Sequence, residues 1–80
     1  MNPEPAETPD PEREVRWERL LPAEFRAAFA DLPVVFLPLG TVEWHGEHNA
    51  LGLDSLKAHA LCVRAAQTAG GGVVHPPVYG

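Results

Sequence analysis

Apolar and polar positions sort the chain into a short series of elements. Pro22 suits the first turn of a helix, where its missing N–H is not needed. Behind it Phe25, Ala28, Phe29 and Leu32 recur at i, i+3, i+4 and i+7, the spacing of one helix face. Pro33 ends that run. Trp17, Leu20 and Leu21 form a first apolar group, and Trp17, Phe25 and Phe29 read as core. Residues 34–39 are apolar throughout (Val-Val-Phe-Leu-Pro-Leu), which predicts a strand buried on both faces. Pro38 cannot donate to a ladder, so that strand ends there or lies at an edge. Residues 40–54 read as a loop. Asp54 or Ser55 is the expected N-cap of a second helix that reaches Ala69, with Gly70-Gly71-Gly72 as its stop. Lys57, Arg64 and Gln67 fall on one narrow arc of this helix. Leu56, Ala58, Leu61, Cys62, Val63, Ala65 and Ala66 cover most of the rest, the pattern of a largely buried helix with a thin wet stripe. Val73-Val74 starts a second strand, and Pro76-Pro77 terminates it.

Helix, strand, loop, helix, strand is the opening of an α/β domain, with one parallel βαβ unit over residues 34–75. Two parallel strands need cover on both faces and both edges. The pattern therefore predicts an incomplete domain, with the start of a core and not its end.

Charge divides the chain in two. Residues 1–14 hold five acids, one base and four prolines, for a charge of −4, out of −5 for all 80 residues. Such a segment has little apolar surface to offset the entropy of ordering, so a disordered acidic leader is expected over 1–14 and the folded part over 15–80. An acidic balance argues against a nucleic-acid or anionic-membrane partner. A single cysteine excludes an internal disulfide and a cysteine-based zinc module. Cys62, mid-helix among apolar neighbours, reads as an inert buried thiol. No apolar run approaches the ~20 residues of a membrane span, and the N-terminus is neither a signal nor a transit peptide. A cytoplasmic protein is the default expectation.

The chemistry concentrates in the loop. Glu43, His45, Glu47, His48 and Asp54 place three carboxylates and two imidazoles just past the C-terminal end of the first strand, where open α/β sheets bind ligands. Glu43 and His45 are two apart, so extended backbone projects both to one side. Gly46 permits a sharp turn, and Asp54 returns the chain to the same neighbourhood. Carboxylate oxygen with imidazole nitrogen suits zinc or manganese. A carboxylate can also bridge two cations that clamp a hydrolytic water. His45-Gly46-Glu47 fits the H-x-E of zinc deaminases, but their P-C-x-x-C partner is absent. His48 is a candidate for proton transfer or for orienting a ligand. Trp44 is a candidate wall of a substrate pocket. Glu47 reads as a solvated charge, His59 as a core or interface histidine, and His75 as a residue on the ligand side of the sheet.

The run Leu37-Pro38-Leu39-Gly40-Thr41-Val42-Glu43-Trp44-His45-Gly46-Glu47-His48, followed by Leu51-Gly52-Leu53-Asp54, resembles the signature of the creatininase (creatinine amidohydrolase) family. Trp17 upstream and Pro76-Pro77-Val78-Tyr79-Gly80 downstream fit the family's order, so the resemblance spans residues 15–80. It implies the N-terminal part of a three-layer α/β/α sandwich around a mainly parallel sheet. It also implies a dinuclear zinc or manganese hydrolase that cleaves non-peptide or cyclic amide C–N bonds through a metal-bound hydroxide, in homo-oligomers. Carried over by motif, Glu43 would ligate one metal, His45 the other, and Asp54 would bridge both. Glu47, Asn49-Ala50 and Trp44 depart from common family choices at the mouth of the site, which leaves the substrate open beyond a small-molecule amide. The family's other ligands, a His and a Glu, fall downstream of Gly80, so the isolated chain is expected to be inactive. Two rival readings remain: a non-catalytic fragment that docks on a partner chain, and a mononuclear metal-binding module.

Overall fold

The computed structural model describes residues 12–80. Of the leader expected over 1–14, residues 1–11 lie outside the described residues. Arg13 donates from Nη2 to the Ala66 carbonyl (2.7 Å), and its own carbonyl accepts from Gln67 Nε2 (3.0 Å).

A 3-10 turn over Trp17–Arg19 leads into α1, Pro22–Asp31. Proline stands at the first position of α1, and Glu24 accepts from the Leu21 N–H at 2.8 Å, satisfying one of the open donors of the helix start. Two short strands follow, β1 (Val35–Phe36) and β2 (Leu39–Gly40). After the loop come α2 (Leu53–Ala69), β3 (Val73–Val74) and β4 (Val78–Tyr79). The chain is mixed α/β, as expected.

β1 pairs with β3 in parallel, Val35 opposite Val73 and Phe36 opposite Val74, which is the anticipated βαβ unit. A second parallel pair, β2 with β4, sets Leu39 opposite Val78 and Gly40 opposite Tyr79. The single strand expected over 34–39 is thus two, separated at Leu37-Pro38. Proline has no N–H to give, so the ladder is interrupted and restarts with new partners. The other edge of β3 is also used: Val74 donates to the Val15 carbonyl at 2.8 Å, and Arg16 bridges Val74 in parallel.

The core sits around β3. Val15, Ala66 and Val74 are fully buried, with Phe36, Cys62 and Val63 packed against them. Along α2 the inward stripe is Ser55, His59, Cys62 and Ala66, spaced three and four apart. Burial elsewhere differs from expectation. Leu56 and Leu61 on α2 are exposed, as are Val34, Val35, Leu37 and Leu39. The reason is geometric: the described strands cover only one face of α2, and α2 covers only one face of them. Trp17 and Phe29 are likewise part-exposed rather than core. They flank Phe25 in a run of ring contacts, with centroids 5.0 and 5.8 Å away. Gly70 ends α2 in the left-handed conformation, as anticipated for a glycine stop.

Candidate metal centre

The polar loop leaves β2 and runs over 41–52 before α2. Two backbone bonds bind its arms: Glu43 N–H donates to Leu51 O (2.9 Å), and Leu53 N–H to Ala50 O (3.1 Å). The Asn49 amide donates to the His45 carbonyl (2.8 Å). Gly46 holds φ +89°, which a residue with a Cβ adopts only with strain. Closure between residues 43 and 51 returns the chain so that the first turn of α2 lies beside the outgoing arm.

Glu43, His45 and Asp54 meet there. One ligand atom from each lies within 4.8 Å of the others. His45 Nε2 is 3.5 Å from Asp54 Oδ1 and 3.9 Å from Glu43 Oε2. Those separations are too long for ordinary hydrogen bonds, whose heavy atoms sit ~2.7–3.2 Å apart. The 3.5 Å separation from Asp54 suits two donors on one ion, since bonds of about 2.0–2.2 Å in a tetrahedral shell put neighbouring donors about 3.3–3.6 Å apart, and the 3.9 Å to Glu43 is longer than that.

A second observation concerns His45 itself. Its Nε2 is inaccessible to water and has no hydrogen-bond partner, although the two carboxylates beside it are half exposed. A buried ring nitrogen without a partner is costly, and coordination of a cation would satisfy it. Nitrogen plus two carboxylates is a donor set for zinc or manganese. The residues therefore fit a divalent ion.

His48 and Trp44 are not part of this cluster. His48 is exposed in the turn after Gly46, and Trp44 is the most exposed large apolar side chain among the described residues. His75 makes other contacts: its Nδ1 lies 2.8 Å from the Pro76 carbonyl and its ring stands edge-on to Trp17. Asp54 and Ser55 are not the cap of α2. The N-cap is Gly52, with no side-chain bond, and both residues lie inside the first turn. Asp54 thus keeps its carboxylate for the cluster, and the Ser55 hydroxyl donates to Val78 O at 2.7 Å. Sequence reasoning missed this bond and the loop brace from Asn49. Cys62 is half-buried, and burial pushes its thiol above the ordinary value, in keeping with an inert role.

The acid–imidazole cluster of this α/β chain lies past the C-terminal end of a parallel strand, the position at which open α/β sheets hold their ligands. The finer assignment comes from a match to the family Creatininase, described as creatinine amidohydrolase, over residues 18–80. The chain belongs to the creatininase family. Searches among curated proteins and among solved structures gave no match. Among the described residues no helix is long and apolar enough to cross a membrane.

Proposed function

We propose that Glu43, His45 and Asp54 form part of a divalent-metal site serving amide hydrolysis, with a small-molecule amide as substrate. The observation that carries this reading is the buried, unpartnered His45 Nε2 between two carboxylates. In this reading Glu43 and His45 would be terminal ligands, and Asp54, with two oxygens, would be the residue shared with a second ion. Zinc and manganese are the favoured metals, because the donors are borderline nitrogen and hard oxygen. Such ions, when bound, polarise an amide carbonyl and acidify water. The residues of the chain hold and orient: Gly46 turns the loop, the Glu43–Leu51 backbone bond closes it, and Asn49 braces the His45 carbonyl. His48 and Trp44 are exposed on the same loop, and in this reading they would meet a docked substrate.

Three protein donors leave open positions on a four-coordinate ion and fall far short of two complete shells. The isolated chain is therefore proposed to bind metal weakly and to turn over amides negligibly. Calorimetric titration with zinc and with manganese tests the site. Binding that disappears in Glu43→Ala and Asp54→Ala supports it; heats identical in wild type and variants reject it. Turnover of creatinine or formamide above a metal-only blank would overturn the inactivity.

Association of copies of the chain is a second reading, favoured by the exposed Leu37, Leu39, Leu56 and Leu61. Sedimentation across a range of concentrations decides it: a mass that stays at one chain throughout counts against it.

A further inference from the structure

The outgoing arm of the loop supplies two of the three residues of the cluster, Glu43 and His45. The third, Asp54, depends on where α2 begins and how it is rotated about its axis. Ser55 bears on both. It is fully buried, and its hydroxyl donates to Val78 O in β4 at 2.7 Å. The helix start is also pressed onto β2, because a Cβ at Gly40 would fall 2.3 Å from the Ser55 nitrogen and 2.5 Å from its Oγ. Gly80, the residue after β4, in turn holds the outgoing arm, since Val42 N–H donates to its carbonyl at 3.1 Å. The Tyr79 ring lies against Gly52, where an added Cβ would come within 3.0 Å of it. One short strand and the residue after it therefore touch the arm that carries Glu43 and His45 and the helix turn that carries Asp54.

We infer that Ser55 is a positioning residue for the metal centre: its bond to Val78 sets the rotation of α2 that places the Asp54 carboxylate beside His45. The inference rests on the metal-site reading above. A carboxylate stands about 5–6 Å from the helix axis, so a rotation of about 10° moves it by about 1 Å. Metal–ligand distances tolerate only about 0.2 Å. Loss of the hydroxyl removes a donor from the Val78 carbonyl and frees that rotation. Groups that orient ligands in this way are worth about 10–100-fold in metal affinity.

Cobalt(II) titration of the 80-residue chain, followed by visible absorption, reads affinity and ligand geometry together. Ser55→Ala is expected to weaken cobalt binding about 10–100-fold and to shift the ligand-field bands at saturation. Ser55→Thr, which keeps the hydroxyl, is expected to restore both. Ala66→Gly loosens the same helix at its far end and controls for stability, so it should leave affinity and bands unchanged. Should Ser55→Ala fail to fold by circular dichroism, Ser55→Cys, with its weaker donor, replaces it and should show an intermediate loss. Wild-type affinity and bands in Ser55→Ala, with loss in Glu43→Ala, would overturn the role of Ser55 alone. Absence of cobalt binding by the wild type would overturn the metal-site reading, and this inference with it.

Discussion

The two parallel ladders of this chain are built for different ends. β1–β3 carries the stability: both residues of β3 are fully buried, Val15 closes its second edge, and Ala66 of α2 packs on top. β2–β4 borders the proposed metal site. Leu39, Val78 and Tyr79 are exposed, and the ladder's role is to hold the ends of the polar loop and the start of α2. The fold separates its core from the proposed site along a single helix. The far half of α2 is anchored in the core through Ala66. Its first turn supplies Asp54 to the cluster. Damage to one end should therefore be readable apart from damage to the other.

The largest expected effect is at the core ladder. Val74→Asp would bury an unpaired charge where Val15, Ala66 and Phe36 converge, at a cost of several kcal/mol. A cooperative thermal transition by circular dichroism should vanish. At the site ladder, His45→Ala should do the reverse: zinc binding falls below calorimetric detection, while the melting transition of the metal-free chain moves little, because His45 belongs to the loop and not to the core cluster of Val15, Ala66 and Val74. Loss of folding in His45→Ala would break the separation.

Two glycines sharpen the contrast at smaller scale. Gly72 and Gly46 both have left-handed φ, +84° and +89°. Replacement by alanine adds about 1–2 kcal/mol of backbone strain at either. At Gly72 the new Cβ would also lie 3.0 Å from the Val34 carbonyl oxygen, whereas at Gly46 nothing stands within 4 Å. Gly72→Ala should therefore lower the midpoint of urea unfolding more than Gly46→Ala. Gly46→Ala should show its main effect in zinc affinity.

The smallest effect concerns pH. Hydrogen bonds from the Arg16 side chain hold the Glu14 carboxyl down at about 2, against an ordinary 4.5. A depressed carboxyl contributes stability that is complete above the unfolded value and is lost as pH falls through about 2. The pair is part-exposed, so the contribution is small and screened by salt. Melting temperatures measured between pH 5 and pH 2 should fall slightly less in Glu14→Gln than in the wild type, and added salt should erase the difference.

Much of this architecture was legible in the residue pattern because it is local. The αL stop at Gly70, the proline start of α1 and the βαβ order all follow from neighbours in sequence. Glu43 and His45 share a side for the same reason. What the pattern could not carry was pairing between distant segments. Nothing near Val15 announces that it closes the edge of β3, and nothing near Ser55 announces Val78 as its acceptor. Asp54 and Ser55 looked like caps because both types favour that position, yet Gly52 takes it and frees both side chains. The burial of α2 was overstated because apolar composition reports what a helix is able to cover. Leu56 and Leu61 are apolar and exposed, since the described strands reach only the other face. His48 shared the polar loop with the cluster, but Gly46 turns the chain before it and leaves it in solvent.

Nitrogen-15 spectra of the imidazole rings during zinc titration test the centre most directly. His45 Nε2 alone is expected to move to the position of a metal-bound nitrogen, while His59 and His75 stay where they are. A stationary His45 signal at saturating zinc, or a shift borne by His48 or His75 instead, would contradict it.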